Sequence, residues 1–350
     1  MEKNGVNMRV SVFFWILLLS TVFVLNGCDD DDDEDLWGNW VKLGSFEGLP
    51  RTDAVAFIIG DYAYVGTGYN GEEDERLRDF WRYDPQYDTW EEVASLPEEA
   101  PARNGAVAFS AAGKGYVGTG YDDNENKLKD FWEFDPDEGD AGTWTRIDDF
   151  PGTARYAAIA FGINDKGYVG TGYDDNRLKD FYQYDPATGQ WTQKMSVGGS
   201  KRRDAVAFVL NNKGYIFMGV DNLDYVTDAW MYDPETDVWN ELKEITSGTN
   251  DDESYDDDYS IVGTKAVAFT LDGYAYITTG GPGYAGNRTW EYDPETDLWE
   301  EKTNFEGSSR SDAVAFTVNG QAFVATGNSS GYYFDDVWTF YPDEEEDEND

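Results

Sequence analysis

The sequence contains no histidine and one cysteine, Cys28, in 350 residues. Without histidine there is no Ser-His-Asp triad, no imidazole general base and no His-ligated copper. One cysteine permits neither an internal disulfide nor a Cys/His zinc site. Basic residues are scarce, 26 Lys and Arg against 71 Asp and Glu, for a net charge of −45. A field this negative repels nucleic acid and anionic lipid. One long hydrophobic run is present, Val10 to Val24, broken by Ser11, Ser20 and Thr21. What remains is ample: 40% hydrophobic and 16% aromatic residues build a core, so the acidity does not imply global disorder. Any catalysis must run on carboxylates, tyrosines, lysines or arginines.

Residues 1–27 read as a signal peptide, with Lys3 and Arg9 ahead of an apolar stretch too short for a comfortable membrane span. Leu25-Asn26-Gly27-Cys28 resembles the bacterial lipoprotein box, which implies diacylation of Cys28 as the first residue of the mature chain. Cys28 to Leu36 contains seven consecutive acids from Asp29 to Asp35, which cannot pack and form a solvated tether. Acids directly after the lipidated cysteine are similar to the surface-export signal of Bacteroidetes lipoproteins. The expected location is therefore the outer membrane of a bacterial envelope, facing outward, with the membrane contacted through the Cys28 lipid alone. The run at 343–350 reads as a second, disordered acidic tail.

Self-similarity decides the fold class. AVAF begins at Ala54, Ala106, Ala205, Ala266 and Ala313, with AIAF at Ala158. Each copy leads to a second run such as YAYVGTGY or KGYVGTGY, then a third such as LRDFWRYDP, then a segment centred on Trp90, Trp144, Trp191, Trp239 or Trp299. The runs are short, β-branched or aromatic, and bounded by Gly, Asp, Asn or Pro, which are strand and turn signals. Four strands repeated six times predict an all-β, six-bladed propeller over 37–342. The sixth repeat lacks its Trp segment. Trp37–Leu43 supplies it, because Trp40 stands 14 residues before Ala54, as Trp144, Trp191 and Trp299 stand before their own alanines. The N-terminal strand is expected to close the ring and leave no open edge.

These repeats resemble the kelch repeat, its Gly-Gly doublet appearing mostly as Gly-Thr-Gly and as Gly280-Gly281 once. The resemblance spans Trp37 to Pro342 and implies the fold more than the function, since kelch propellers include enzymes, glycan binders and scaffolds. Galactose oxidase carries such a propeller, but its site needs two histidines and a Tyr–Cys crosslink that this chain lacks. Sialic acid mutarotases are six-bladed kelch propellers too, although the histidine those enzymes carry is missing here.

An arginine stands three residues before the first-strand alanine in five blades: Arg51, Arg103, Arg155, Arg202 and Arg310. Blade five has Gly263 there and Lys265 two residues later. Symmetry places these arginines around one channel mouth. Two readings stand: structural pairing, with Asp53, Asp204 and Asp312 two residues on as partners, or guanidiniums left to take a ligand carboxylate in a bidentate fork. Asp79, Asp130, Asp180, Asp228 and Asp336 read as turn or inter-blade residues. Tyr69, Tyr121 and Tyr173 follow the Gly-Thr-Gly beside carboxylates and amides, a pairing that suits sugars. An insertion, Thr249 to Tyr259, adds Tyr255 and Tyr259 on the same face, and such insertions often build binding surfaces. Its acids and the Asp-Asn clusters offer oxygens to Ca²⁺, none with EF-hand spacing. No cofactor, metal site or catalytic residue is assigned. The expectation is a monomeric, lipid-anchored binding module for a glycan or an envelope protein. Its alternatives are a protein scaffold or a non-redox sugar enzyme.

Overall fold

A computed structural model describes Met1 and residues 36–246, 261–280 and 286–347. The chain divides into Met1–Asp35 and Leu36–Asp350. Cys28, the tether, Tyr255 and Tyr259 lie outside the described residues.

The second unit is all-β, with no helix among its described residues, and carries six four-stranded antiparallel sheets. Blade one runs Val55–Ile59, Tyr62–Gly66, Phe80–Asp84 and Thr89–Val93 from the axis outward. Alternation explains why the innermost strand reads Ala-Val-Ala-Phe. Val55 and Phe57 are buried between blades, while Ala54 and Ala56 face an axial cavity of about 210 Å³, lined by the same three positions of all six blades. Methyl groups keep that cavity open; longer side chains would fill it. Phe57 and Tyr64 stack at 5.2 Å and meet Phe134 and Trp144 of blade two. The repeat tryptophans thus seal neighbouring blades together. Trp191 alone is half-buried.

One cross-strand pair in each blade conserves volume by exchanging sizes. Gly66 faces Phe80, Gly118 faces Phe131 and Gly170 faces Phe181. Blade five has Thr278 against Thr289, and blade six Ala325 against Val337. In blade four the large residue has crossed over, Phe217 lying one step beyond the Ile216–Trp230 pair next to Ala229. A Cβ on Gly66 would fall 2.3 Å from the Phe80 ring, so close packing requires the compensation.

The ring closes as expected. Trp37–Ser45 pairs with Asp336–Glu345 as the outer strand of blade six, with Trp40 opposite Phe340. Trp40 is fully buried against Phe340, Phe305 and Phe269, and its Nε1 donates to Thr289 Oγ1 at 3.2 Å. The propeller extends further than expected at its C-terminal end: Trp37 pairs with Glu345, inside the stretch read as disordered tail. Edge pairing uses only the backbone, so these acidic side chains remain in water.

Candidate functional site

The loops entering each inner strand and those leaving the second strand meet on one face, as the bridges Thr52–Tyr69, Asn104–Tyr121, Tyr156–Tyr173, Arg203–Val220 and Ser311–Asn328 show. Three positions before each first-strand alanine form three concentric sets on this face.

The outermost set corrects an expectation. Arg51, Arg103, Arg155, Arg202 and Arg310 are fully buried and not free for a ligand. Their partners are Asp79, Asp130, Asp180, Asp228 and Asp336 of their own blades, not Asp53, Asp204 and Asp312. Arg51 forks onto Asp79 with both bonds at 2.7 Å and also donates to the carbonyls of Thr67 and Leu49. Asp79 in turn accepts from Trp81 Nε1, and Phe46 packs on the guanidinium. Burial pushes Asp79, Asp130, Asp228 and Asp336 upward, but the arginine beside each outweighs it and holds the carboxyl below its usual range. Blade five has no such latch: Gly263 replaces the arginine, and the position of the aspartate carries Arg288.

The innermost set is Asp53, Gly105, Ala157, Asp204, Lys265 and Asp312, every one with φ between 52° and 62°. Each donates its N–H to the carbonyl of the preceding blade at 2.9 to 3.1 Å, which closes a ring of six hydrogen bonds around the axis. A second ring surrounds it, from the N–H of Gly68, Gly120, Gly172, Gly219, Gly280 and Gly327 to the carbonyl three residues before the next blade's alanine. Gly68 has φ of 99°, and a Cβ there would lie 2.8 Å from the Thr52 carbonyl oxygen, which accounts for the last glycine of Gly-Thr-Gly. At the mouth, Lys265 bonds Asp312 at 2.7 Å and Arg203 bonds Asp204 at 2.7 Å. Burial and the neighbouring Asp53 push Asp312 up to about 8 despite Lys265, and burial likewise raises Asp204.

The middle set and the adjoining hairpins hold residues that sequence reading missed. Tyr69 pairs across its hairpin with Arg76, Tyr121 with Lys127 and Tyr173 with Arg177. The equivalent pairs in blades four and six, Val220–Tyr225 and Asn328–Tyr333, carry no cation. Arg76 lies over Tyr69 and Tyr121, and Lys127, Arg177 and Arg203 all lie within 6 Å of the Tyr173 ring centre. Tyr156 bridges Tyr121 and Tyr173 at 5.3 and 5.6 Å. The result is a crescent of four tyrosines and four cations over blades one to four, beside an acidic axial mouth. The Asp-Asn clusters serve their own turns: Asp122 accepts from Asn124 and from the backbone and side chain of Asn126. Among the described residues, no group of three or more acids is arranged to hold a metal ion.

Two predictions follow from this geometry. Arg155→Leu leaves the half-buried Asp180 without its guanidinium and is expected to cost about 2–3 kcal/mol in chemical denaturation, while Arg155→Leu/Asp180→Leu recovers most of it. A double variant as unstable as the single one would contradict the latch. The second concerns pH. A carboxyl whose folded pKa is raised stabilises fully below its unfolded value near 4, and that contribution is lost as pH rises toward about 8. Stability measured from pH 4 to 9 should therefore fall less steeply in Asp312→Asn than in the wild type. Parallel profiles would count against a protonated Asp312.

The kelch motif family matches residues 50–97 and 201–245. N-acetylneuraminate epimerase of Yersinia enterocolitica serotype O:8 / biotype 1B is 33% identical over 69 residues, covering 18% of this chain. Those of Yersinia pestis (strain Pestoides F) and Yersinia pseudotuberculosis serotype O:1b are 32% identical over the same length. The chain spans only 18% of the length of these curated relatives. Six four-stranded sheets closed by the N-terminal strand make the chain a six-bladed β-propeller, with kelch motifs in its first and fourth blades.

Proposed function

We propose that this propeller is a binding module whose ligand is a glycan, seated on the tyrosine–cation crescent of blades one to four. The observation that carries the reading is that, among the described residues, the hairpins of blades one to three pair a tyrosine with a cation while those of blades four and six do not. Tyr69, Tyr121, Tyr156 and Tyr173 are all half-buried, so each ring is braced while part of it faces solvent. Braced aromatic faces beside directional donors suit the apolar face and hydroxyls of a sugar ring. Repeat architecture alone would have distributed these residues evenly, as it does the arginine latches. The similarity to N-acetylneuraminate epimerases adds a sugar-acting relative, over a short stretch.

The same reading places the module on a membrane through a lipidated Cys28, at the outer surface of a bacterial envelope. Its support is the Leu25-Asn26-Gly27-Cys28 sequence and the acids that follow it. Cys28→Ala should move the protein from the membrane to the soluble fraction and abolish labelling by an alkyne fatty acid. Labelling that persists in this variant would remove the anchor.

Ligand binding is tested by a thermal-shift screen of neutral and acidic sugars on the full-length chain in a mild detergent. A ligand at 100 times its dissociation constant adds about 2.7 kcal/mol, and Tyr121→Ala should reduce that shift. Accelerated anomer exchange in the same samples, followed by NMR, would make the module an enzyme. No shift with any sugar would assign the face to a protein partner instead.

A further inference from the structure

The cations of the crescent are linked from blade to blade by a repeated device, and the device fails once. Arg76 of blade one reaches Asp123 in the hairpin of blade two, at 2.9 Å. Lys127 of blade two reaches Asp175 in the hairpin of blade three, at 2.8 Å. Each of those acids stands two residues after the hairpin's first strand residue, Tyr121 or Tyr173. In blade four the corresponding position, two after Val220, is Asn222. Arg177 of blade three reaches that residue too, but only its backbone carbonyl, at 2.7 Å. Among the described residues no carboxylate lies within ion-pair distance of Arg177, in a chain with 71 acids.

A second observation falls at the same place. Arg177 Nε and Arg203 Nε are both buried and lack a hydrogen-bond partner among the described residues. These are the two guanidiniums on the Tyr173 ring, at 5.2 and 5.6 Å from its centre. Arg203 has one acid, Asp204, which also lies close enough to Arg177 to be influenced by its charge. Two half-buried guanidiniums therefore have one carboxylate beside them, bonded to Arg203 alone, and each keeps an Nε–H without a partner among the described residues. A donor kept from water without a partner is costly, and a planar anion relieves both the charge and the donors.

We propose that Arg177 and Arg203, at the junction of blades three and four, form a subsite for the carboxylate of an acidic sugar whose ring lies on the tyrosines of the crescent. The subsite rests on the glycan reading for its sugar and on Asn222 for its charge. Asn222 supplies the specificity by omission: an aspartate there would neutralise Arg177 as its counterparts neutralise Arg76 and Lys127.

The test compares D-glucuronate with methyl α-D-glucoside by calorimetry on the full-length chain in detergent. The wild type should prefer the acid by about tenfold, the usual scale of a charge-assisted hydrogen bond. Arg177→Gln and Asn222→Asp should each bring that preference close to unity. Asn222→Asp adds an ion pair at the surface and should not lower the melting temperature, which separates loss of selectivity from loss of fold. Asp204→Asn, which frees Arg203, should strengthen glucuronate binding several-fold. Equal binding of both sugars, or a preference untouched by Asn222→Asp, would overturn the subsite and leave the glycan reading standing. If neither sugar binds, acetate decides: an Arg177 Nε–H NMR signal that acetate shifts in the wild type but not in Asn222→Asp would keep the anion subsite and refute the sugar. No response to acetate would refute the subsite as well. A carboxylate-bearing peptide that binds in an Asn222-dependent way while sugars do not would overturn the proposal in favour of a protein ligand.

Discussion

In five of the six blades a fully buried guanidinium pairs with an aspartate at the start of the third strand, as a bidentate fork in all of them except blade four, and also donates to the carbonyl of the left-handed residue that ends the second strand. Three segments distant in sequence are pinned by one side chain: the loop entering the inner strand, the Gly-Thr-Gly turn and the turn into the third strand. Burying such a pair costs desolvation on both sides, so its contribution to net stability is small. Its contribution to geometry is large, because a bidentate fork admits one orientation. The upper face inherits that orientation. Tyr69, Tyr121 and Tyr173 directly follow the pinned turns, and Arg203 directly follows a pinned arginine.

Around this frame the backbone accepts strain in exchange for closure. Six residues with positive φ, four of them neither glycine nor alanine, line the axis so that every blade donates to the one before it. A ring of this kind tolerates any side chain able to bear the left-handed conformation, and aspartate bears it better than most. Three aspartates consequently gather at the axial mouth, where burial, and after it repulsion from Asp53, raises the Asp312 carboxyl above its ordinary range. Lys265, in the blade without a latch, offsets part of that charge.

The propeller, its blade count and its closure by Trp40 were all legible in the sequence, because strand patterns and aromatic spacing are local and repeat. The arginine column was equally visible, and so was the aspartate column. Their pairing was not, since Arg51 and Asp79 lie 28 residues apart while Asp53, only two residues away, looked the closer partner. Proximity along the chain misled because a left-handed turn separates Arg51 from Asp53 and points them apart. The Tyr–cation pairs escaped for a different reason. Arg76, Lys127 and Arg177 follow their tyrosines by seven, six and four residues, so unequal hairpins hide a column that the fold brings into register. Asn222 carries meaning only once that register is known.

Closure by the first strand also sets an order of events. Trp40 is the first of the repeat tryptophans to be synthesised, yet Phe340 opposite it is made 300 residues later. Until then the outer strand of blade six has no sheet to join, and blade five presents an unsealed apolar wall at Phe269. The first and last segments must find each other across the whole length of the chain, a contact of the highest possible order. A nascent chain of this kind stays sticky at both ends until its final residues arrive. The seven acids from Asp29 to Asp35, made just before Trp37, give every such open chain the same dense negative charge, and like charge repels.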